Sequence, residues 1–201
     1  MKRSRFVLAL AAAMLVFAPL ARPNIIQLHA TLLGSNEVNP PVLSPGTGFA
    51  NALLDTVAQT LFLHIEFSGL LLSGTGTTAA HIHCCLPSPF LTGVNAGVAT
   101  TTPQFLGFPD GVRSGTFEIT LDLTQASSYN PAFVPAIGGV PAAEALLIGG
   151  LLNGETYLNI HSSIDPGGEI RGFLVVPEPG TLGLLALGLG AGLVSLRRRR
   201  A

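Results

Sequence analysis

Two stretches of strict alternation constrain this chain most. In Thr60–Ser68, Leu61, Leu63, Ile65 and Phe67 share one parity, and Phe62, His64 and Glu66 share the other. In 116–123, Phe117, Ile119, Leu121 and Leu123 alternate with Glu118, Thr120 and Asp122. Successive side chains of a strand point to opposite faces, so each stretch predicts a strand with one face in a core. Further strands are expected over Ile25–Leu33, 49–54, 79–84, 97–102, 156–162 and 169–176, separated by turns rich in Gly, Pro and Ser. Asp165-Pro166-Gly167-Gly168 between the last two predicts a hairpin. The connection over 126–152 is the exception. Residues 141–152 predict a short helix that starts near Pro141 and stops at Asn153-Gly154, and 126–133 predicts another helical turn. The expected class is all-β, an immunoglobulin-like Greek-key sandwich or barrel with one or two short helices in that connection.

Both ends of the 201-residue chain read as processing segments. Residues 1–5 are basic and 6–18 are apolar, the pattern of a secretory signal peptide cut near Ala21. At the other end, Pro177-Glu178-Pro179 precedes an apolar stretch over 181–196 and the basic run Arg197, Arg198, Arg199 and Arg200. Sixteen residues of helix are about 24 Å long, close to the thickness of a hydrocarbon core. The arginines would hold their end on the cytoplasmic side. This tail resembles the PEP-CTERM sorting signal of Gram-negative bacteria. The resemblance implies recognition and cutting by an exosortase after a transient inner-membrane stage. It further implies delivery to the cell surface or extracellular matrix, with signal peptidase acting at the N-terminus and exopolysaccharide or other surface proteins as neighbours.

Between these ends lies one domain's worth of chain, residues 22–176. It holds three arginines, no lysine and ten acidic residues, a net charge of −7. That balance makes nucleic acid a poor partner; it is what simple solubility asks for first, and it also suits cations. Apart from the sorting tail, the chemistry concentrates in Ala80-His81-Ile82-His83-Cys84-Cys85. On a strand, His81 and His83 share a face and can reach one ion. With His161 they form a candidate three-nitrogen site for copper or zinc. The alternative is that the three histidines tie loops through hydrogen bonds. Cys84 and Cys85 admit three readings: a vicinal disulfide, thiolates joining the histidines on a soft metal, or buried or intermolecular thiols. No nucleophile elbow, phosphate loop or dinucleotide fingerprint is present in the sequence. His29 and His64 read as surface residues.

Three separated motifs then resemble one family. Residues 33–42 (Leu-Gly-Ser-Asn-Glu-Val-Asn-Pro-Pro-Val) with Gly48, Ala80-His81-Ile82-His83, and Tyr157-Leu158-Asn159-Ile160-His161 followed by 166–172 are similar to the conserved segments of the CHRD domain. The resemblance spans about 28–174 and implies an all-β, immunoglobulin-like barrel with no agreed biochemical activity. Two departures stand out: Asn39 replaces a usual proline, and Cys84-Cys85 replace a glycine-containing loop. Glu37, Asn159, Glu169 and Arg171 fall in the family's motifs. Glu37 is expected to accept backbone N–H groups. Glu169 and Arg171 are expected to form carboxylate–guanidinium bridges to neighbouring loops, with Glu169 also a candidate outer partner of a metal. Two functions follow from these readings: a non-catalytic binding or structural protein of the cell surface, or a copper- or zinc-dependent redox or carrier protein centred on His81, His83 and His161.

Overall fold

The computed structural model describes residues 25–38, 41–71, 74–86 and 93–177. The expected signal peptide, Glu178, Pro179, the apolar stretch 181–196 and the four terminal arginines lie outside the described residues. Among the described residues no helix is long and apolar enough to cross a membrane.

Seven strands form one antiparallel sheet: β1 (Ile25–Leu33), β2 (Thr47–Asp55), β3 (Thr60–Ser68), β4 (Thr77–His83), β5 (Gly115–Asp122), β6 (Tyr157–Ser162) and β7 (Ile170–Phe173). Their order across the sheet is β4-β6-β7-β1-β2-β3-β5. The alternation seen in the sequence fixes which face is apolar. Leu28, Ala30 and Leu32 of β1, Ala50, Ala52 and Leu54 of β2, and Leu61, Leu63, Ile65 and Phe67 of β3 are all buried. Their neighbours Gln27, His29, Thr31, Phe49 and Asn51 face outward and are exposed.

The sheet curls into a half-barrel around this apolar face. Its two edges approach each other at one end through the segment before β5. Thr77 of β4 donates its N–H to the Val112 carbonyl at 2.8 Å, and β5 begins three residues later at Gly115. Three residues reach at most about 11 Å. The irregular segment between β4 and β5 seals the open side. It bonds to the free edge of β4 through Ala99 N–H to Ile82 O, 2.9 Å, and Phe105 N–H to Ala80 O, 3.0 Å. It then sends Phe105 and Phe108 against Phe117 and Phe67, with ring centroids 5.2–6.1 Å apart. The expected strand over 97–102 is reduced to isolated bridges at Val98 and Thr100, because this edge is capped by single contacts along a winding segment.

Two helices complete the core, α1 (Phe133–Ile137) and α2 (Val140–Asn153). Ala143, Leu147 and Leu151 recur every four residues along α2 and form its buried stripe. Pro141 stands at its start, where a missing N–H costs nothing. Gly154 ends it at φ 70° and donates to the Gly150 and Leu151 carbonyls. The helix that the sequence predicts over 141–152 is therefore present, extended by one residue at each end. The earlier predicted turn divides into a 3-10 turn, Ala126–Ser128, and α1.

The expected immunoglobulin-like two-sheet packing is not what the described strands form. Period-two alternation says that one face of a strand is buried but not by what. Here the apolar face is covered by α2 and by the aromatic segment, with no second sheet among the described residues.

The core position of β3 carries a direct expectation. Leu63→Ala, at a fully buried site, should lower unfolding free energy by about 2–5 kcal/mol in urea denaturation. Leu106→Ala, at a side chain 87 % exposed, should change it by less than about 0.5 kcal/mol.

Candidate metal centre

Strands β4, β6 and β7 differ from the rest of the sheet: nearly every residue in them is buried, on both faces. Ala80, Ile82, Leu158, Ile160 and Ile170 face the core. The other face carries His81 and His83 of β4, Tyr157, Asn159 and His161 of β6, and Arg171 of β7. Register brings them together: His83 pairs with Tyr157, His81 with Asn159, and Ala79 with His161, while Asn159 also pairs with Arg171. His161 is thus diagonal to His81, within reach of a ring side chain. The small Ala79 directly opposite leaves room for its imidazole.

Each imidazole is held by a backbone carbonyl. The Nδ1 atoms of His81, His83 and His161 lie 3.1, 2.8 and 2.8 Å from the carbonyl oxygens of Pro103, Ala96 and Pro166. A carbonyl only accepts, so each Nδ1 carries the proton and each neutral ring presents a bare Nε2. These nitrogens converge. One ligand atom from each ring lies within 4.8 Å of the others, and the Nε2 atoms of His81 and His161 are 2.9 Å apart. Two bare nitrogens at that distance repel unless a proton or a cation sits between them. His83 Nε2 is buried and makes no hydrogen bond.

Burial disfavours the protonated rings. It pushes His81 down to about 4, helped by repulsion from His161, and His83 down to about 3. His161 is lowered for the same reason. All three are therefore neutral at physiological pH, the state that ligates metal. Tyr157 stacks on His83, centroids 4.6 Å apart, and the Arg171 guanidinium lies 4.5 Å over the other ring system of that stack, Tyr157.

The cysteines are not part of this centre. Cys84 and Cys85 are joined to each other in a vicinal disulfide. Their sulfurs lie 3.9 and 3.5 Å from the Leu146 carbonyl of α2, against Gly150, where a Cβ would approach both sulfurs. The chain turns the sulfurs toward the helix, away from the histidine face.

Arg171 and Glu169 do bridge neighbouring loops, but through separate partners. Arg171 donates Nε–H to Asn36 O at 2.6 Å and NH1 to Asn95 Oδ1 at 2.8 Å. Glu169 accepts from Ser44 Oγ at 2.5 Å and from Leu71 N–H at 2.7 Å. Glu169 is therefore not an outer partner of the histidines, whose Nδ1 protons all go to backbone. Glu37 is buried, yet its Oε1 accepts no hydrogen bond. Burial, opposed by Arg171, pushes its carboxyl up to about 7. His29 is exposed, and His64 bridges Glu66 and Glu118 at 2.9 and 2.8 Å, which raises its pKa. The groups that sequence reading missed are the carbonyls of Ala96, Pro103 and Pro166 and the side chain of Asn95. Backbone acceptors on irregular loops leave no mark in residue type.

Two family models match the chain. Residues 28–174 match the CHRD domain, and residues 175–200 match the PEP-CTERM protein-sorting motif. No curated protein and no solved structure matches it.

The buried rings set a pH dependence for metal-free protein. Their folded-state pKa values lie below the ordinary 6.5, so the unfolded chain takes up protons first as pH falls. The stability they contribute is full above pH 6.5 and is lost as pH falls through about 4 and then about 3. Glu37 acts with the opposite sign: its raised pKa removes stability as pH climbs from 4.5 to about 7. Thermal unfolding in chelator should show Tm falling as the pH drops below 6.5, and the slope should flatten in His81→Asn/His83→Asn.

Proposed function

Since the chain belongs to the CHRD-domain family and ends in a PEP-CTERM sorting motif, we propose that it is an exported cell-surface protein whose β-domain holds one copper or zinc ion on His81, His83 and His161. The sorting motif implies exosortase processing and display at the surface. Signal peptidase would act first, at the segment ending near Ala21. In this reading the protein reaches the surface or matrix of a Gram-negative cell after a transient stage in the inner membrane, held by 181–196.

One observation supports the metal reading above the others. Three neutral imidazoles bring one ring nitrogen each within 4.8 Å of the others, with Nε2 of His81 meeting Nε2 of His161, while all three Nδ1 protons are committed to backbone carbonyls. Histidines that only tied loops would have no need to bring Nε2 atoms to 2.9 Å. A bound ion turns that repulsion into shared coordination. Imidazole donors suit both zinc and copper, and a three-nitrogen set leaves a fourth position on the ion. Hydrogen bonds from the far nitrogen of each ring to a carbonyl fix the tautomer and ring angle of each ligand. The acidic body of the domain adds a favourable field for a cation.

The site's role is binding rather than turnover. The rings are buried at 6–9 % exposure; Tyr157 packs on His83 and Arg171 on Tyr157, and Asn36, Asn95 and Ala96 hold these two in place. A retained or carried ion fits a rigid site of that kind.

Elemental analysis of protein exported by its native host checks this. The expected result is about one copper or zinc per chain. It should fall more than about 100-fold in affinity in His161→Ala and vanish in His81→Ala/His83→Ala. A metal-free protein that also fails to take up either ion when it is supplied would overturn the reading. Intact mass on the same sample addresses sorting separately, because exosortase processing predicts that the segment after Pro179 is gone.

A further inference from the structure

Beside the histidine centre, on the same side of the sheet, the loops leave a cleft of about 240 Å³. Its lining includes Glu37, Val38, Asn95, Asp165, Pro166 and Gly168. We propose that this cleft is a saccharide subsite, in which Glu37, Asp165 and Asn95 bind the hydroxyls of one neutral sugar ring.

The polar atoms of the cleft carry the argument. Glu37 is 96 % buried by its 4 % exposure, and its Oε1 is shielded from solvent without a hydrogen-bond partner. Asp165 Oδ2 is likewise shielded and unpartnered. Both residues line the cleft. Asn95 supplies the opposite character: its Oδ1 is taken by Arg171 NH1 at 2.8 Å, which leaves its amide nitrogen to donate. A second layer repeats the mixture. Asn159 Oδ1 and Arg171 NH2 are also buried and unpartnered. The Asn159 amide stands against Gly168, where a Cβ would come within 2.5–2.7 Å of it and 2.7 Å of Glu37 Oε1. Gly168, at φ 127°, is the residue that lets the hairpin loop approach so closely.

Donor and acceptor balance selects the ligand class. A bare cation would satisfy the carboxylates but would meet the Arg171 charge behind Asn95 and leave the Asn95 amide unused. An anion would face Glu37 and Asp165. A hydroxyl both donates and accepts, so a ring bearing several of them serves both kinds of atom at once. Val38 and Pro166 give its C–H face an apolar wall. The volume lies below the roughly 300 Å³ at which drug-sized pockets begin, which limits the occupant to about one ring.

This subsite does not depend on metal at the histidines, and its test is run in chelator so that the two readings fail separately. Amide shifts of the exported protein are followed by NMR during titration with D-glucose, D-mannose and D-glucuronate. The expected result is a saturable change at 36–38, 95 and 165–168 with a neutral hexose, and weaker binding of glucuronate. Asp165→Asn, at a half-buried position, should weaken the hexose about tenfold, and Glu37→Gln should do the same. No saturable change with either hexose overturns the proposal. So does a saturable change with calcium chloride alone, or hexose binding that both variants leave unaltered.

Discussion

The burial of β4, β6 and β7 on both faces is the constraint on which the rest of this structure depends. On the core side it is met by aliphatic residues. On the other side the strands carry three histidines, a tyrosine, an asparagine and an arginine, none of which can be buried without partners. Each must recruit a loop. Ala96 and Asn95 come to His83 and Arg171, Pro103 comes to His81, Pro166 to His161, and Asn36 to Arg171. The long connections of this chain are organised by those demands more than by any sequence preference of their own.

Arg171 is the costliest member of that face and the most connected. A fully buried guanidinium needs hydrogen bonds and charge compensation. It has two short bonds, the face of Tyr157 at 4.5 Å, and the field of Glu37. Through Tyr157 it presses on His83, and through Asn95 it fixes the loop that also holds His83 Nδ1. The Tyr157 hydroxyl bonds both the N–H and the carbonyl of Ala96, at 3.2 and 3.4 Å. The geometry of the histidine centre is therefore set from one side by a buried cation and its stack. The unpartnered atoms around it, on Glu37, His83, Asn159 and Arg171, gather on this single face.

Much of the candidate site was legible because its residues lie on strands. His81 and His83 share a face by parity, and His161 belongs to a motif with Tyr157 and Asn159 at the same parity. The cysteines show the limit. They follow His83 directly in sequence, yet they lie past the end of β4, where period-two reasoning no longer applies, and they turn toward Gly150. Glu169 and Arg171, two residues apart, reach separate loops: Glu169 precedes β7 and is bonded by Ser44 and Leu71, whereas Arg171 bonds Asn36 and Asn95.

By itself the sequence determined the strands, the capped helix, the hairpin, the family and the sorting tail. Those properties are local: they follow from alternation, from caps such as Gly154, and from contiguous motifs. The tertiary structure alone decided that the strands close as one curled sheet and not two, because the choice of covering layer depends on contacts between Phe105, Phe108 and α2 and residues far away in sequence. It also decided that three imidazoles lose their freedom to ionise and face one another. That outcome depends on desolvation and on backbone carbonyls brought from three separate loops, neither of which is written in residue type.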